Sequence, residues 1–155
     1  MSDNYIRLIP ADKNWQPAPE AAASVAAYVT GLFSGSDDDV EEVSGEFYDE
    51  VTLIDAGENT TRITCPRCGG DISLEWFLGL VEEHGESIGD RDVTVPCCHE
   101  TVPLDVLRYD WPVGFARFEV CAMNPTRDKY ELDAAELTQV AALLGHPVLQ
   151  ILAHY

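Results

Sequence analysis

Two cysteine-containing segments carry the residue types best suited to bind a metal ion. The first is Cys65-Pro66-Arg67-Cys68, which two glycines follow, and the second is Cys97-Cys98-His99, with 28 residues between Cys68 and Cys97. A Cys-x-x-Cys turn that ends in glycine directs two thiolates at one ion, and zinc prefers four tetrahedral ligands of this kind. The second segment supplies the other clustered ligands, so the sequence predicts one Zn²⁺ site built from both segments.

The second segment departs from the Cys-x-x-Cys pattern and leaves two ligand sets open. Aligned on the first segment, it places Val95 at the first cysteine and His99 at the glycine. Neighbouring side chains of an extended segment point to opposite faces, whereas Cys97 and His99 share one face. An alternate set therefore uses His99 in place of Cys97 or Cys98. Cys121 lies in a mostly apolar run and is expected to be a packed core thiol. The first predicted ligand set is Cys65, Cys68, Cys97 and Cys98.

A catalytic zinc site is a competing hypothesis, in which Glu100 would act as a general base beside His99. Such a site keeps one position open for water, whereas four Cys and His ligands fill every position. The His-x-Glu and Cys-x-x-Cys arrangement of zinc deaminases is missing from the sequence, as are a nucleophile elbow, a phosphate-binding loop and a dinucleotide fingerprint. We therefore expect a non-enzymatic protein, and a zinc-dependent hydrolase that uses Glu100 is the second alternative.

A hairpin is predicted to lead into the first cysteine segment. Residues 47–55 and 60–64 are rich in β-branched and aromatic types, and Gly57-Glu58-Asn59 separates them as a turn. The second of these strands runs directly into Cys65, as strands do in zinc ribbons.

A helix and a further short strand are predicted between the two cysteine segments. Ser73 is a suitable N-cap and His84-Gly85 a suitable end, so we expect a helix over about 74–84. Its apolar stripe consists of Leu74, Phe77, Leu78 and Val81. Residues 92–95 predict a strand that leads into the second segment.

Helices are also predicted on both sides of this central region. Apolar residues at helical spacing predict one over about 19–33. Asp133 and Glu136 resemble a capping box for another helix, which Gly145 ends, and Pro147 is expected to open a last short helix. Residues 114–123 favour a strand.

The segment from Ser36 to Glu50 is predicted to be a solvated loop. It holds eight carboxylates in fifteen residues, and such blocks repel themselves.

These elements predict an α+β protein formed as a single domain over residues 1–155. A small β hairpin or sheet carries the zinc-ribbon-like site, and N- and C-terminal helices flank it. We place the zinc-ribbon-like portion at about 47–123, an N-terminal acidic helix and loop region at 1–46, and a C-terminal helical segment at 124–155.

The chain is strongly acidic, with 28 Asp and Glu residues against 9 Lys and Arg residues and a formal net charge of −19. Nucleic-acid backbones and anionic membranes are bound by clustered Lys and Arg, so direct binding to either is disfavoured. Neither a secretory signal pattern nor a long apolar run is seen, which predicts a cytoplasmic protein. The acidity fits either a basic protein partner or the general composition of the organism.

Two longer runs carry a family resemblance: GENTTRITCPRCGG and VPCCHETVPLDVLRYDWPVGFARFEVCAMNP. Together they span about residues 57–125 and resemble a group of bacterial zinc-ribbon-bearing proteins, mostly of unknown function. The resemblance implies that both the Cys-x-x-Cys and the Cys-Cys halves hold zinc, and it implies no agreed activity. His99 stands where these relatives more often have glycine.

The function predicted from these features is that of a zinc-binding, acidic module for protein–protein interaction. A basic protein is the expected partner, for which this chain would act as an immunity or antitoxin-like protein. The first alternative is a zinc-ribbon accessory protein in transcription or nucleic-acid processing.

Overall fold

The computed structural model describes residues 2–89 and 91–155, which form two sheets of unequal size, a strand pair and three helices. In chain order the elements are β1 (Asn4–Pro10), α1 (Pro19–Leu32), β2 (Glu42–Ile54), β3 (Ile63–Thr64), β4 (Asp71–Ile72), α2 (Leu74–His84), β5 (Asp92–Thr94), β6 (Thr101–Pro103), β7 (Arg108–Tyr109), β8 (Gly114–Met123), α3 (Ala134–Leu144) and β9 (Val148–His154). Short 3₁₀ turns lie at Glu86–Ile88 and Leu104–Val106. The fold is α+β, as predicted.

The four long strands form the main sheet, in the order β2-β8-β1-β9 and antiparallel throughout. β1 is buried from Ile6 to Pro10, and all seven of its residues pair with β9. It also pairs with β8 from Tyr5 opposite Met123 to Leu8 opposite Val120. The N-terminal strand is therefore central in the sheet, although it comes first in the chain.

Helices α1 and α3 cover one face of the main sheet and enclose the larger core. Val25 and Val29 of α1 and Val140 of α3 are at most 1% exposed, and they pack with Phe118 and Val120 of β8. Burying apolar side chains of this size contributes about 1.5–3 kcal/mol each. The predicted helices are confirmed at both positions.

The start of α3 contains the predicted capping box. The Asp133 carboxylate accepts from the Glu136 backbone N–H at 2.8 Å, and the Glu136 carboxylate accepts from the Asp133 N–H at 2.9 Å. Gly145 ends the helix with a φ of 84°. Both ends are thus specified by local sequence.

The prediction of a solvated loop over residues 36–50 is wrong for its second half, which belongs to β2. β2 pairs with β8 from Glu42 opposite Met123 to Phe47 opposite Phe118, and again from Thr52 opposite Ala116 after a register shift. Its acidic residues lie on an edge strand, where they stay exposed to water. Charged side chains are common on such edges because they prevent pairing with other chains.

The predicted hairpin of residues 47–55 with residues 60–64 is wrong as well. β2 pairs with β8, whereas β3 pairs with β4 and β7 in a different sheet. The intervening Gly57 has a φ of 61° and lies so close to His154 that a Cβ atom would be 2.1 Å from its carbonyl oxygen. The turn residues therefore serve a contact with the C-terminal strand.

The predicted last helix after Pro147 is a strand, β9. Ile151 and Ala153 are buried while Gln150 and Leu152 are less so, which is a period of two residues. The spacing of Leu149 and Leu152 suggested a helix, but the open edge of β1 supplies backbone partners for a strand here.

The second unit, here called the cysteine module, comprises residues 63–109. Its sheet has the order β4-β3-β7, and β5 pairs with β6. Helix α2 matches its predicted bounds, and the Ser73 hydroxyl accepts from the Glu75 backbone N–H at 3.2 Å. Strands precede both cysteine segments, as predicted.

The cysteine module shares a core with one end of the main sheet. Phe77 of α2, Val95 and Leu104 pack in the same buried cluster as Leu53 of β2 and Phe115 of β8. The main sheet therefore provides one wall against which the module is assembled. Among the described residues, no helix is long and apolar enough to cross a membrane.

Candidate metal centre

The two cysteine segments form turns with the same backbone hydrogen bonds. In the first, the Cys65 N–H donates to the Gly70 carbonyl at 2.9 Å, and the Gly69 N–H donates to the Cys65 carbonyl at 3.0 Å. In the second, the Val95 N–H donates to the Glu100 carbonyl and the His99 N–H to the Val95 carbonyl, both at 3.0 Å. The two turns are therefore structural counterparts, as the alignment of the two segments predicts.

His99 occupies the backbone position that glycine occupies in the first turn. Gly69 has a φ of 73° and His99 a φ of 62°. This left-handed conformation costs an L residue with a side chain about 1–2 kcal/mol. The second turn forms in spite of that cost.

The two turns bring four cysteine sulfurs together. The Sγ atoms of Cys65, Cys68, Cys97 and Cys98 all lie within 4.8 Å of one another. Cys68 Sγ is 3.4 Å from Cys97 Sγ, and Cys65 Sγ is 3.9 Å from Cys98 Sγ. The first predicted ligand set is thus a single cluster.

The second turn supplies its sulfurs from different positions than the first. Cys65 and Cys68 stand at positions one and four of their turn, but position one of the second turn is Val95, which is fully buried in the core of the module. Cys97 at position three is instead exposed and reaches the cluster beside Cys98 at position four. The adjacent cysteines therefore both point toward the first turn.

Backbone N–H groups around the cluster favour ionised sulfur at Cys65. Hydrogen bonds from the Cys68 and Arg67 backbone N–H groups lower the pKa of the Cys65 thiol to about 7, despite its burial. Loss of solvent and the hydrogen bonds to the neighbouring thiols raise the pKa of Cys97 to about 12. At Cys98, the Glu100 N–H favours the thiolate, but burial and the thiols of Cys65 and Cys68 raise its pKa on balance. Negative charges on neighbouring sulfurs repel one another, so few of these thiols are ionised until a cation binds between them.

The geometry of the cluster fits a tetrahedral metal ion. Metal–sulfur distances of about 2.3 Å place neighbouring sulfurs about 3.8 Å apart. The two sulfur–sulfur distances of 3.4 and 3.9 Å lie on either side of that value. The four cysteines could therefore hold one metal ion between the two turns.

Other residues considered as ligands or catalysts lie outside this group. His99 and Glu100 have exposed side chains, and neither belongs to the described group of side chains that could share an ion. Cys121 lies on β8 opposite Arg7 of β1, in the main sheet. Burial raises the pKa of its thiol to about 12, and it is partly buried.

Asp110 positions the first turn, a role that was not predicted from the sequence. Its carboxylate accepts from the backbone N–H groups of Thr61, Arg62 and Trp111 at 2.9–3.0 Å, and from the Thr61 hydroxyl at 2.6 Å. These hydrogen bonds, that of the Thr61 hydroxyl first, lower the pKa of Asp110 to about 2. An aspartate that begins a turn before Trp-Pro was the available signal. Asp110 thereby fastens the end of β7 to the residues that lead into β3 and Cys65.

The chain was also compared with known proteins. No protein-family model, curated protein or solved structure matches it. The resemblance of residues 57–125 to bacterial zinc-ribbon-bearing proteins therefore stays a prediction.

Proposed function

We propose that this protein is a zinc-binding, non-enzymatic module that recognises a basic protein. The observation that carries the proposal is the cluster of four cysteine sulfurs within 4.8 Å of one another. Tetrahedral sets of four cysteine sulfurs are typical of zinc and of iron–sulfur centres, and two separate turns that supply two sulfurs each are typical of zinc ribbons. Cys65, Cys68, Cys97 and Cys98 are the proposed ligands, and zinc bound there would tie the two turns together.

The ligand set supports a structural rather than a catalytic centre. Four thiolates fill the tetrahedral positions of zinc and leave none for a water molecule. Glu100, the candidate general base, has an exposed side chain and contributes to the turn through its backbone carbonyl. We therefore favour a protein that binds a partner over a zinc hydrolase.

The distribution of charge supports a basic partner. Residues 1–64 hold 13 acidic and 3 basic residues, and the acidic residues of β2 are exposed along one edge of the main sheet. Complementary charge accelerates association and suppresses wrong partners. A basic toxin or nuclease would be one such partner, and this chain would then act as an immunity or antitoxin-like protein.

Affinity capture from the native lysate, with identification by mass spectrometry, tests the proposal. We expect the zinc-loaded protein to capture a basic protein, whose affinity falls steeply between low and high salt because screening weakens surface charges. We also expect one zinc per chain by metal analysis and no turnover of the captured protein.

A matched pair of variants tests whether the edge of β2 contributes to this recognition. One carries Glu42→Gln, Glu46→Gln and Glu50→Gln on β2, and the other carries Glu20→Gln, Asp128→Asn and Glu131→Gln elsewhere. Both lose three exposed negative charges, but we expect only the first to lose most of its affinity for the captured protein. Capture of no basic protein, or an affinity that salt does not change, would contradict the proposal.

A further inference from the structure

A groove of about 620 Å³ lies between helix α2 and residues 53–61. This volume falls within the range of about 300–1,000 Å³ that is usual for ligand sites. Its apolar lining consists chiefly of Leu53, Leu74, Phe77, Leu78, Val81 and Val113. None of the four cysteines is among its described lining residues, and it lies on the face of α2 that carries the apolar stripe.

The apolar stripe of α2 is only partly covered by the rest of the protein. Phe77 is 6% exposed and packs edge-on against Tyr109, inside the core of the cysteine module. Leu78, one position along, is 60% exposed, the largest value among the large apolar side chains described. The stripe therefore anchors the helix with one side and presents the other side to the groove.

Polar groups in the opposite wall are mostly engaged within the protein. The Thr60 hydroxyl donates to the Trp111 carbonyl, and the Thr61 hydroxyl donates to the Asp110 carboxylate. The Asp55 carboxylate accepts from the Gly57 N–H at 2.9 Å and from the Tyr155 hydroxyl. An occupant would thus meet apolar surface in the groove and carboxylates at its border.

The border of the groove is acidic on both sides. Asp55 and Glu58 lie in one wall, and none of the described lining residues is Lys or Arg. On α2, Glu75 and Glu82 are exposed and stand three before and four after Leu78, so helical spacing places both beside it. An apolar floor between two acidic borders is complementary to a segment with apolar residues on one face and basic residues beside them.

We propose that this groove is the docking site for a short, basic, amphipathic helix of the protein partner. From Leu74 to Val81 the floor extends about 10 Å along α2, at about 1.5 Å per residue. That length accommodates two apolar side chains spaced one turn apart, which is how amphipathic helices dock in grooves. The inference rests on the proposed function and adds a second contact with the same partner, apart from the edge of β2 that attracts it by charge.

A synthetic peptide of leucine and lysine, designed as a helix with all leucines on one face, tests the inference. The readout is an NMR titration of the zinc-loaded, ¹⁵N-labelled protein. We expect shift changes at residues 74–82 and 55–61, and Leu78→Gln is expected to weaken peptide binding about tenfold, as loss of an apolar anchor does. Leu149→Gln is the matched control, because Leu149 is 49% exposed on β9 and lies outside the groove lining.

A second peptide of the same composition, with its leucines distributed around the helix, separates apolar docking from charge attraction. The inference predicts that it fails to shift the groove residues. It is overturned if both peptides shift the same residues, if Leu78→Gln binds as tightly as the wild type, or if the changes lie along β2. Occupation of the groove by a neutral apolar dye but not by the first peptide would also overturn it, in favour of a small-molecule site.

Failure of this inference can be distinguished from failure of the proposed function. If the wild type captures a basic protein and Leu78→Gln captures it equally well, the groove is not the docking site and the proposed function stands. If the wild type captures no basic protein, the proposed function fails, whatever the peptide titration gives.

Discussion

The main sheet and the cysteine module differ in how much of their structure the polypeptide stabilises by itself. The strands of the main sheet are seven to thirteen residues long, and they enclose a core with two helices. The strands of the module have two or three residues each. Pairs of strands that short are marginally stable alone in water, so the module depends on other contacts.

Those other contacts come from two directions. On one side, Leu53 and Phe115 of the main sheet complete the core of the module. On the other, the sulfurs of the two turns come together, and two pairs of them lie 3.4 and 3.9 Å apart. An ion at the sulfurs would therefore add stability where the chain itself supplies least.

The largest effect is therefore expected from removing one sulfur, with Cys65→Ser. Four-ligand zinc sites contribute about 10–16 kcal/mol of binding free energy, so loss of one ligand should lower the zinc affinity by on the order of 100-fold or more. We expect amide hydrogen exchange to rise throughout residues 63–109 while the main sheet stays protected.

Cys121→Ser is the matched control for this prediction. It removes a thiol of the main sheet that lies outside the cluster, so zinc affinity should stay unchanged. If Cys65→Ser unfolded both units together, the two would not differ in what stabilises them.

How much the sequence predicted depends on whether neighbouring or distant residues decide each element. The turns of the two cysteine segments, the bounds of α2 and the capping box of α3 follow from a few neighbouring residues, and the structure confirms the helix bounds and the capping box. Spacing of cysteines, a serine N-cap and an Asp–Glu pair act locally, and the surroundings cannot reverse them easily.

The errors fall where partners distant in sequence decide the structure. β2 looked like a loop because its carboxylates suggested solvation, but pairing with β8 makes it an edge strand. The spacing of two leucines predicted a helix for β9, but β9 pairs with the edge of β1 that β8 leaves open. Asp110 was missed as a positioning residue because its partners, Thr61 and Arg62, lie 49 and 48 positions earlier in the chain.

A smaller effect, confined to the main sheet, is expected from Glu119→Gln. Arg7 and Glu119 form a buried ion pair at 2.8 Å, with side chains only 11% and 4% exposed. Burial alone would lower the pKa of Arg7, but the Glu119 carboxylate raises it, so Arg7 stays charged. Removing the carboxylate takes away the nearest opposite charge and leaves the buried guanidinium with the Asp55 carbonyl and the Tyr155 hydroxyl, which should lower the free energy of unfolding by about 3 kcal/mol.

Urea denaturation of the zinc-loaded protein measures this loss. Glu46→Gln is the control, because Glu46 pairs with Glu119 across β2 and β8 but is exposed. It should change the free energy of unfolding by less than about 0.5 kcal/mol. Equal losses in the two variants would show that the buried pair contributes little to the main sheet.

The smallest effect is expected in the second turn, from His99→Gly. The variant removes the side chain from a residue with a φ of 62°, where glycine is free of the steric cost, so the module should gain up to about 1 kcal/mol of stability. His99→Ala is the control, since it also removes the imidazole but keeps a Cβ atom in the same conformation. If the four cysteines are the ligands, both variants keep the zinc affinity of the wild type, and only the glycine variant raises the thermal midpoint of the module.

A loss of zinc affinity in both variants, measured by competition with a chelator, would instead make His99 a ligand. The second turn would then have to rearrange so that the imidazole replaces Cys97 or Cys98. Metal binding, rather than the turn, would then account for the left-handed conformation of His99.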